Sequence, residues 1–524
     1  MLRQLLSQEP IVKLQNAFHD PYDTVVATAR TCYSSKVIYP EDVRKDERAR
    51  ERRDAIAESI YKAGHHTTIQ HATFQFVLDA VSRQCIWSFL HSHPFYNSEQ
   101  VSQRYVEVSA DRYTIPPLSE EALAVYRQTA TRQMTAYHRL MELLEPMVTA
   151  RYRRIFPQRS LDDKRWQSAV KKRLQEVARY ALPVATHAHL YHTISGLTLH
   201  RYHRMMEQFD TPLEQRIIVE KMVEEVNRFD PEFFRRLEDP IPLEQTPEYE
   251  LVERFGGGVR RGTGTAFIDE FDRRMGTWQA SRLADYKARG AESMAQAVRS
   301  VLGVTQERMS DAEALDFVLN PSHNRYFAES LNVTTMSKLA RTMGHPHFTF
   351  QKRLSHTADS QDQRHRMTPA SRPVLSCQFQ LDRPDFVVPM VIAGAPETLA
   401  YYRETMTAIW DGMRRLSELG VEDEYVMYLL PNAFPIRFEE SGDLLNLHHK
   451  WTKRLCYTAQ DEIWVSCKEE VEQVKTLCPE LAAHLLAPCG LRREAGIAPF
   501  CPEGDRFCGV AVWNLPVEEY SRLL

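Results

Sequence analysis

No apolar run in this 524-residue sequence approaches the roughly 18 residues that span a bilayer. Its first segment, Met1-Leu-Arg-Gln-Leu-Leu-Ser-Gln-Glu-Pro10, lacks the apolar core of a signal peptide. Basic charge is not in excess either: 66 Lys and Arg face 70 Asp and Glu, for a formal charge of −4. That balance excludes a chain built to coat a nucleic acid polymer, though not a locally basic pocket. Cysteine is sparse and odd in number, nine in all, which argues against a secreted disulfide framework. These absences point to a cytoplasmic protein that works neither at a membrane nor along a polymer. What is present is globular: 43% apolar and 26% charged residues, in a chain long enough for several domains.

The chain repeats itself. Phe74-Gln-Phe76 follows a His-rich stretch (Gly64-His65-His66…His71), and Phe348-Thr-Phe350 follows another (Gly344-His345-Pro346-His347). Ser82 and Ser355 come next, and nine residues after each begins a His-containing triplet, His91-Ser92-His93 and Arg364-His365-Arg366. Leu182-Pro183 and Leu430-Pro431 recur further on. The sequence therefore reads as two diverged copies of one unit. Phe255-Gly-Gly-Gly-Val-Arg-Arg-Gly-Thr-Gly264 fits no phosphate-binding fingerprint and reads as the linker between them.

Apolar residues at Leu123, Tyr126, Ala130, Met134, Tyr137 and Met141 make a helical stripe over 120–152, and Ile463, Cys467, Val471, Val474 and Cys478 make a second. Thr73–Leu78 and Phe348–Gln351 read as short strands. No alternation of strands and crossover helices is visible, so the fold class is α+β.

Arg364-His365-Arg366 is the sharpest local feature: two guanidinium forks flank an imidazole, a set suited to phosphate or carboxylate. Gln361 adds an amide able to read a ring edge. Ser102-Gln103-Arg104-Tyr105 places a hydroxyl and a guanidinium two apart, on one side of an extended segment, a second phosphate grip. Each alone is matched by a bland reading as solvated surface.

Taken together, these motifs resemble the flavin-dependent thymidylate synthases (the ThyX family). That pattern is Arg-His-Arg, then after seven residues Ser-x-Arg and usually Tyr. Upstream it has Gly-His and a second His, here Gly64-His65 and His71, and an opening like Ala29-Arg30-Thr-Cys32-Tyr33. Downstream it has Ala-Arg-x-x-Leu-Pro, here Ala178-Arg179-Tyr-Ala-Leu182-Pro183, then an Arg and an Ala-Gln-x-Glu-Ile helix start, here Arg454 and Ala459-Gln460-Asp-Glu462-Ile463. The resemblance implies two tandem ThyX-like domains, each an antiparallel sheet flanked by long helices, forming a pseudo-dimer within one chain. The expected units are residues 1–250, a connecting segment 251–300, a second domain 301–475 and a Cys-containing tail 476–524.

Each half departs from the pattern where the other keeps it. The first has His91-Ser92-His93 for Arg-His-Arg but keeps Ser102, Arg104 and Arg179. The second keeps Arg364-His365-Arg366 but has Met427 in place of Arg179, and its Met367–Pro373 loop is several residues short. Arg454 lies 23 residues after Pro431, where the first half has Met206. One site is therefore expected from Ser102, Gln103, Arg104 and Arg179 of the first half with Gln361, Arg364 and Arg454 of the second, gripping dUMP. The resemblance further implies methylation of dUMP at C5 with methylenetetrahydrofolate, FAD and NADPH, in a homodimer that mimics the family homotetramer. Arg364, His365 and Arg366 would contact the flavin, as would His65 and Thr67. A flavin- or nucleotide-binding pseudoenzyme, or a methyl- or hydroxymethyltransferase for another pyrimidine nucleotide, are the alternatives.

Two metal readings remain. His187, His189, His192, His200 and His203 crowd one segment, but no carboxylate motif accompanies them. Cys478, Cys489, Cys501 and Cys508 lie beside glycine-bearing turns in the tail and form a candidate zinc set, set against ordinary reduced thiols.

Overall fold

The computed structural model describes residues 4–255, 264–522 and 524. The glycine-rich segment read as a linker lies almost wholly outside the described residues. The architecture is α+β. Two four-stranded antiparallel sheets share one topology: β1 (Ile11–Ala17), β2 (Thr73–Ser82), β3 (Asn97–Gln100) and β4 (His187–Ser195) in the order β1-β2-β4-β3, then β5 (Ser281–Tyr286), β6 (His347–Ser355), β7 (Ala370–Ser371) and β8 (Pro435–Asp443) in the order β5-β6-β8-β7. The second sheet takes its first strand from inside the 251–300 stretch. Even the irregularities repeat, with the ladder slipping between Leu14 and Asn16 in one edge strand and between Leu283 and Asp285 in the other.

In chain order, the helices that build the site and the seam are α1 (Glu120–Ile155), α2 (Lys164–Ala178), α3 (Gly196–Arg204), α4 (Pro212–Phe229), α5 (His356–Asp362), α6 (Pro396–Glu418), α7 (Asp423–Val426), α8 (Leu444–Arg454) and α9 (Asp461–Leu477). Both stripes seen in the sequence are helices, α1 and α9. The strand-to-helix turns after β2 and β6 are capped alike: Ser82 Oγ accepts from Cys85 N–H at 3.0 Å and Ser355 Oγ from Ala358 N–H at 3.1 Å.

The two halves meet across a pseudo-twofold seam. Val184 N–H donates to Leu430 O and Asn432 N–H to Leu182 O, while Ala185 N–H donates to Tyr428 O and Ala433 N–H to Tyr180 O. Helices α1 and α6 lie against each other there, with Gly412 so close to Thr129 that a Cβ would sit 2.1 Å from its Oγ1. The side chains cross-link the halves reciprocally. Glu214 accepts from Ser82 N–H (2.7 Å) and Oγ–H (2.6 Å) in its own half and from the Tyr428 hydroxyl (2.7 Å) of the other. Glu462 does the same with Ser355 N–H and Oγ–H and the Tyr180 hydroxyl. Each carboxylate is thus satisfied only when both halves are folded and docked. Among the described residues no helix is long and apolar enough to cross a membrane.

Many histidines are buried and neutral. Burial pushes His192, His356 and His448 down to about 3, and His93, His187 and His200 to about 4. An unfolded imidazole titrates near 6.5. Below that pH the unfolded chain takes up protons that the folded chain refuses, so the stability present at neutral pH is lost as pH falls toward 4. Thermal melts are expected to be nearly flat from pH 8 to 7 and to drop steeply between about 6.5 and 4.5.

Candidate functional site

Equal ladder positions align the halves residue by residue. Phe76 pairs with His192 and Phe350 with Glu440, so His192 and Glu440 are equivalent. Ser98 lies opposite His192 and Ala370 opposite Glu440. The loop after the second triplet is therefore one residue shorter than its counterpart, not several, and Ser376 occupies the place of Arg104. Every arginine of the expected set then has a non-arginine twin: Ser376 for Arg104, Met427 for Arg179, His91 for Arg364 and Met206 for Arg454. One pseudo-equivalent site holds all four guanidiniums and the other holds none.

The arginine site is assembled from chain reversals. Ser102 and Arg104 lie in a turn just after β3, not on an extended segment: Tyr105 N–H donates to Ser102 O, and Ser102 Oγ accepts from Arg104 N–H at 3.2 Å. Arg179 follows α2 and is 5% exposed, its Nε donating to Glu176 O at 3.3 Å. From the second half, Gln361 closes α5 and donates to Gln460 Oε1 at 2.6 Å. Arg364 donates to Ser98 O at 2.5 Å and pairs with the exposed Glu99 at 3.2 Å. Arg454, ending α8, donates to His365 Nε2 at 2.9 Å and to Gln361 O at 3.0 Å. Arg104 reaches Thr458 O across the seam at 2.9 Å and ion-pairs with Glu176. Gln103 accepts from Asn432 Nδ2 at 3.1 Å.

Sequence reasoning missed Arg83. It stands directly after the repeated Ser82, where the second half has His356, and that position beside a repeated landmark was the available signal. Its Nη2 donates to Val101 O at 2.6 Å. Burial first, then repulsion from Arg179 and Arg364, lowers it to about 9. Arg179 is lowered to about 10 by burial, Glu176 opposing and Arg104 adding to the shift. Arg454 is lowered by burial and by Arg104 and Arg364, with Asp362 opposing. Five guanidiniums therefore crowd together. The buried carboxylate beside them, Glu176, is shared with Arg173 at 2.6 Å and is held down to about 2, its burial outweighed by Arg104, Arg173 and Arg179. Arg83 Nε, Arg179 Nη2 and Gln103 Nε2 are buried donors with no hydrogen-bond partner among the described residues. Half-buried and buried cations in excess, with unspent buried donors, call for an anion with several acceptor oxygens.

The twin site is closed. His91 stacks on Tyr96 at 4.3 Å, Met206 and Met427 are buried, and Asp210, raised to about 6 by burial, accepts from Ser376 N–H at 2.9 Å. An acid and thioethers there offer a phosphate nothing. A cavity of about 330 Å³ beside Glu176 is walled by Asp272, Asp385, Asp461 and Glu462, and its two arginines, Arg353 and Arg437, are already paired with Asp272 and Asp385, which leaves little for an anion. His65 and Thr67 are exposed on the turn His66–His71 or beside it, and among the described residues no hydrogen bond or ion pair joins them to the arginine cluster.

The zinc expectation is corrected. Among the described residues no group of three or more His, Cys, Asp or Glu is arranged to hold a metal ion. Cys478 caps the end of α9 with its N–H on Val474 O and interacts with Glu480, while Cys489, Cys501 and Cys508 interact with Cys456 and with one another.

The profile of the thymidylate synthase complementing protein family matches residues 13–232 and again 282–480. The chain belongs to this family. Among the chain's relatives is a flavin-dependent thymidylate synthase of Clostridium tetani, 25% identical over 227 residues, covering 43% of this chain and 85% of the relative. Another, from Nitratidesulfovibrio vulgaris, is 31% identical over 143 residues, covering 26% of this chain and 58% of the relative. A UMP/dUMP methylase of Streptomyces cacaoi, solved with 5-Br dUMP, aligns at 17% identity and TM-score 0.29 over 43% of this chain and 92% of its own. The two matched segments cover the two sheets except for the first residues of β1 and β5.

Proposed function

We propose that the chain is a flavin-dependent thymidylate synthase-like enzyme that methylates dUMP at C5, with one nucleotide site per chain. The observation that carries this is the collection of five guanidiniums, Arg179 buried and the other four half-buried, in one of two pseudo-equivalent sites. Arg83, Arg104, Arg179, Arg364 and Arg454 take the phosphate, with the Ser102 hydroxyl and the Gln103 amide beside them. Gln361 is set by Gln460, itself hydrogen-bonded to Tyr180 at 2.6 Å, to face the pyrimidine edge.

The triplet suits a polyanionic cofactor that carries a ring. Arg366 lies over the Tyr96 ring at 5.2 Å and its donors go to the neutral Pro94 O and Asn97 Oδ1, so its charge is unspent. Burial and the neighbouring Arg454 keep His365 neutral, well below the usual imidazole range, so that Nε2 can accept from Arg454. Arg364, His365 and Arg366 would hold FAD. Bound flavin, reduced by NADPH, supplies the redox chemistry that turns a one-carbon unit from methylenetetrahydrofolate into a methyl group. The protein's own part is to fix the uracil ring, neutralise the phosphate and keep water out. His65 and Thr67, exposed and away from the triplet's hydrogen bonds, would reach a flavin from a second chain, which is the reason to propose a homodimer.

An anaerobic assay with dUMP, methylenetetrahydrofolate, NADPH and FAD is expected to yield dTMP, and calorimetry to give one dUMP per chain. A flavin-loaded protein that binds dUMP yet forms no methylated product overturns the catalytic reading, and two nucleotides per chain overturn the single site.

A further inference from the structure

The first half carries a hairpin that the second lacks. Helix α1 has 36 residues against 23 in its twin α6, and α2 has 15 against four in α7. Residues beyond 480 are a second addition, outside both family matches. The two additions dock on each other. Arg159 donates to Asp505 O at 3.4 Å, Arg165 pairs with Asp505 at 2.9 Å, and Gly509, at φ +84°, lies so near Ile155 that a Cβ would sit 2.3 Å from its Cγ2.

Between them is a cavity of about 260 Å³. Six cationic side chains line it (Arg104, Arg159, Arg165, Lys172, Arg173 and Arg506) against two acidic ones, Glu176 and Asp505. The cations are laid on rings. The Arg159 guanidinium lies 3.7 Å from the Phe156 centroid and 4.0 Å from that of Trp166, and Arg165 lies 4.1 Å from Trp166. Lys172 lies 5.6 Å from the Tyr105 ring, and neither it nor Arg159 has a carboxylate partner among the described residues. Flat rings beside uncompensated cations recognise a flat anion, stacking on its ring while the cations take its charge.

We propose that this cavity is a second binding site, for an aromatic anion: a planar ring bearing phosphate or carboxylate groups. It is distinct from the arginine cluster but shares Arg104 with it, so its occupant alters dUMP affinity. Nucleotides and folates both have this chemistry, and the test separates them.

Tryptophan emission of the full chain is followed during titration with dTTP, with folinic acid and with inorganic phosphate. At least one of the two aromatic anions is expected to quench saturably, and Trp166→Phe to remove that signal. Lys172→Glu and Arg159→Glu each weaken it at least tenfold, and phosphate alone binds at least tenfold more weakly than the better ring compound. Quenching by dTTP assigns a nucleotide and by folinic acid a folate. No saturable quenching by either overturns the proposal, as does a signal that survives Trp166→Phe. So does wild-type affinity in Lys172→Glu, an exposed residue whose change leaves the fold intact. Calorimetry of dUMP on the same Lys172→Glu protein reports the arginine cluster separately, so failure of the methylase reading is distinguishable.

Discussion

Replacing Arg179 by alanine is expected to weaken dUMP binding by about 30-fold to several thousandfold, while Met427→Ala, at the twin position, leaves it unchanged. The range is the ~2–5 kcal/mol that follows truncation of one member of a buried charged pair, at about 1.4 kcal/mol per factor of ten. Arg179 is 5% exposed, and its Nη2 has no protein partner among the described residues, so the bond it lacks in the free chain is made only to a ligand. Its contribution is thus concentrated in the bound state. Arg454→Ala should behave similarly and Met206→Ala should not. Calorimetric titration of the four variants decides the matter, because equal losses on both sides of the pseudo-twofold axis would mean that both sites bind.

Much of this asymmetry was legible in the sequence, because hydrogen-bonding side chains that grip an anion come in short fixed motifs. Ser102-x-Arg104, Arg179 before Leu-Pro, and Arg364-His365-Arg366 could each be placed by offset from Ser82, Ser355, Pro183 and Pro431. What was not legible depends on pairing across the sheet. The ladder, not the sequence, shows that Ser376 stands for Arg104, since the shortened loop hides its own register. Arg83 was hidden because its twin is His356, a different residue serving a different contact, the Gln84 amide at 3.0 Å. The cysteines misled for the opposite reason. Four thiols in one stretch of sequence suggest one centre, yet Cys478 belongs to the buried face of α9 while Cys489, Cys501 and Cys508 belong to the tail. Linear spacing says nothing about which side of a helix a thiol faces. Glu214 and Glu462 were similarly silent, because their role is to accept hydrogen bonds from both halves at once, a relation that exists only after docking.

Lys352→Met is expected to be the most destabilising single change in the second half. Lys352 and Lys450 are wholly buried beneath the triplet, where the first half has Leu78 and Tyr202. Lys352 Nζ lies 3.0 Å from Asp362, 2.8 Å from Glu440 and 2.9 Å from Glu470, and Lys450 Nζ lies 2.8 Å from Asp362 and 2.5 Å from Glu440. The first half has no charge to bury there: Leu78 stands at that ladder position, and the bulge at Asp79–Ala80, with Ala80 at φ 56°, comes after it and leaves Asp79 paired with Arg112. A methionine at 352 would leave three carboxylates facing one ammonium with no water to share the charge. Breaking a buried ion pair from one side costs about 3–5 kcal/mol. The two lysines now hold Asp362 well below the usual carboxylate range despite its burial, and losing one raises the carboxylates' pKa values. The variant's folded state would then bind protons that the unfolded state has released, so its deficit is greatest above neutral pH and shrinks as pH falls toward 5. Melting curves of the variant and the parent at pH 8 and pH 5.5 measure that difference directly. Adding Glu440→Gln to Lys352→Met should recover part of the loss, because it removes one of the stranded charges; if the double variant is no more stable than the single, packing rather than charge accounts for the lysine.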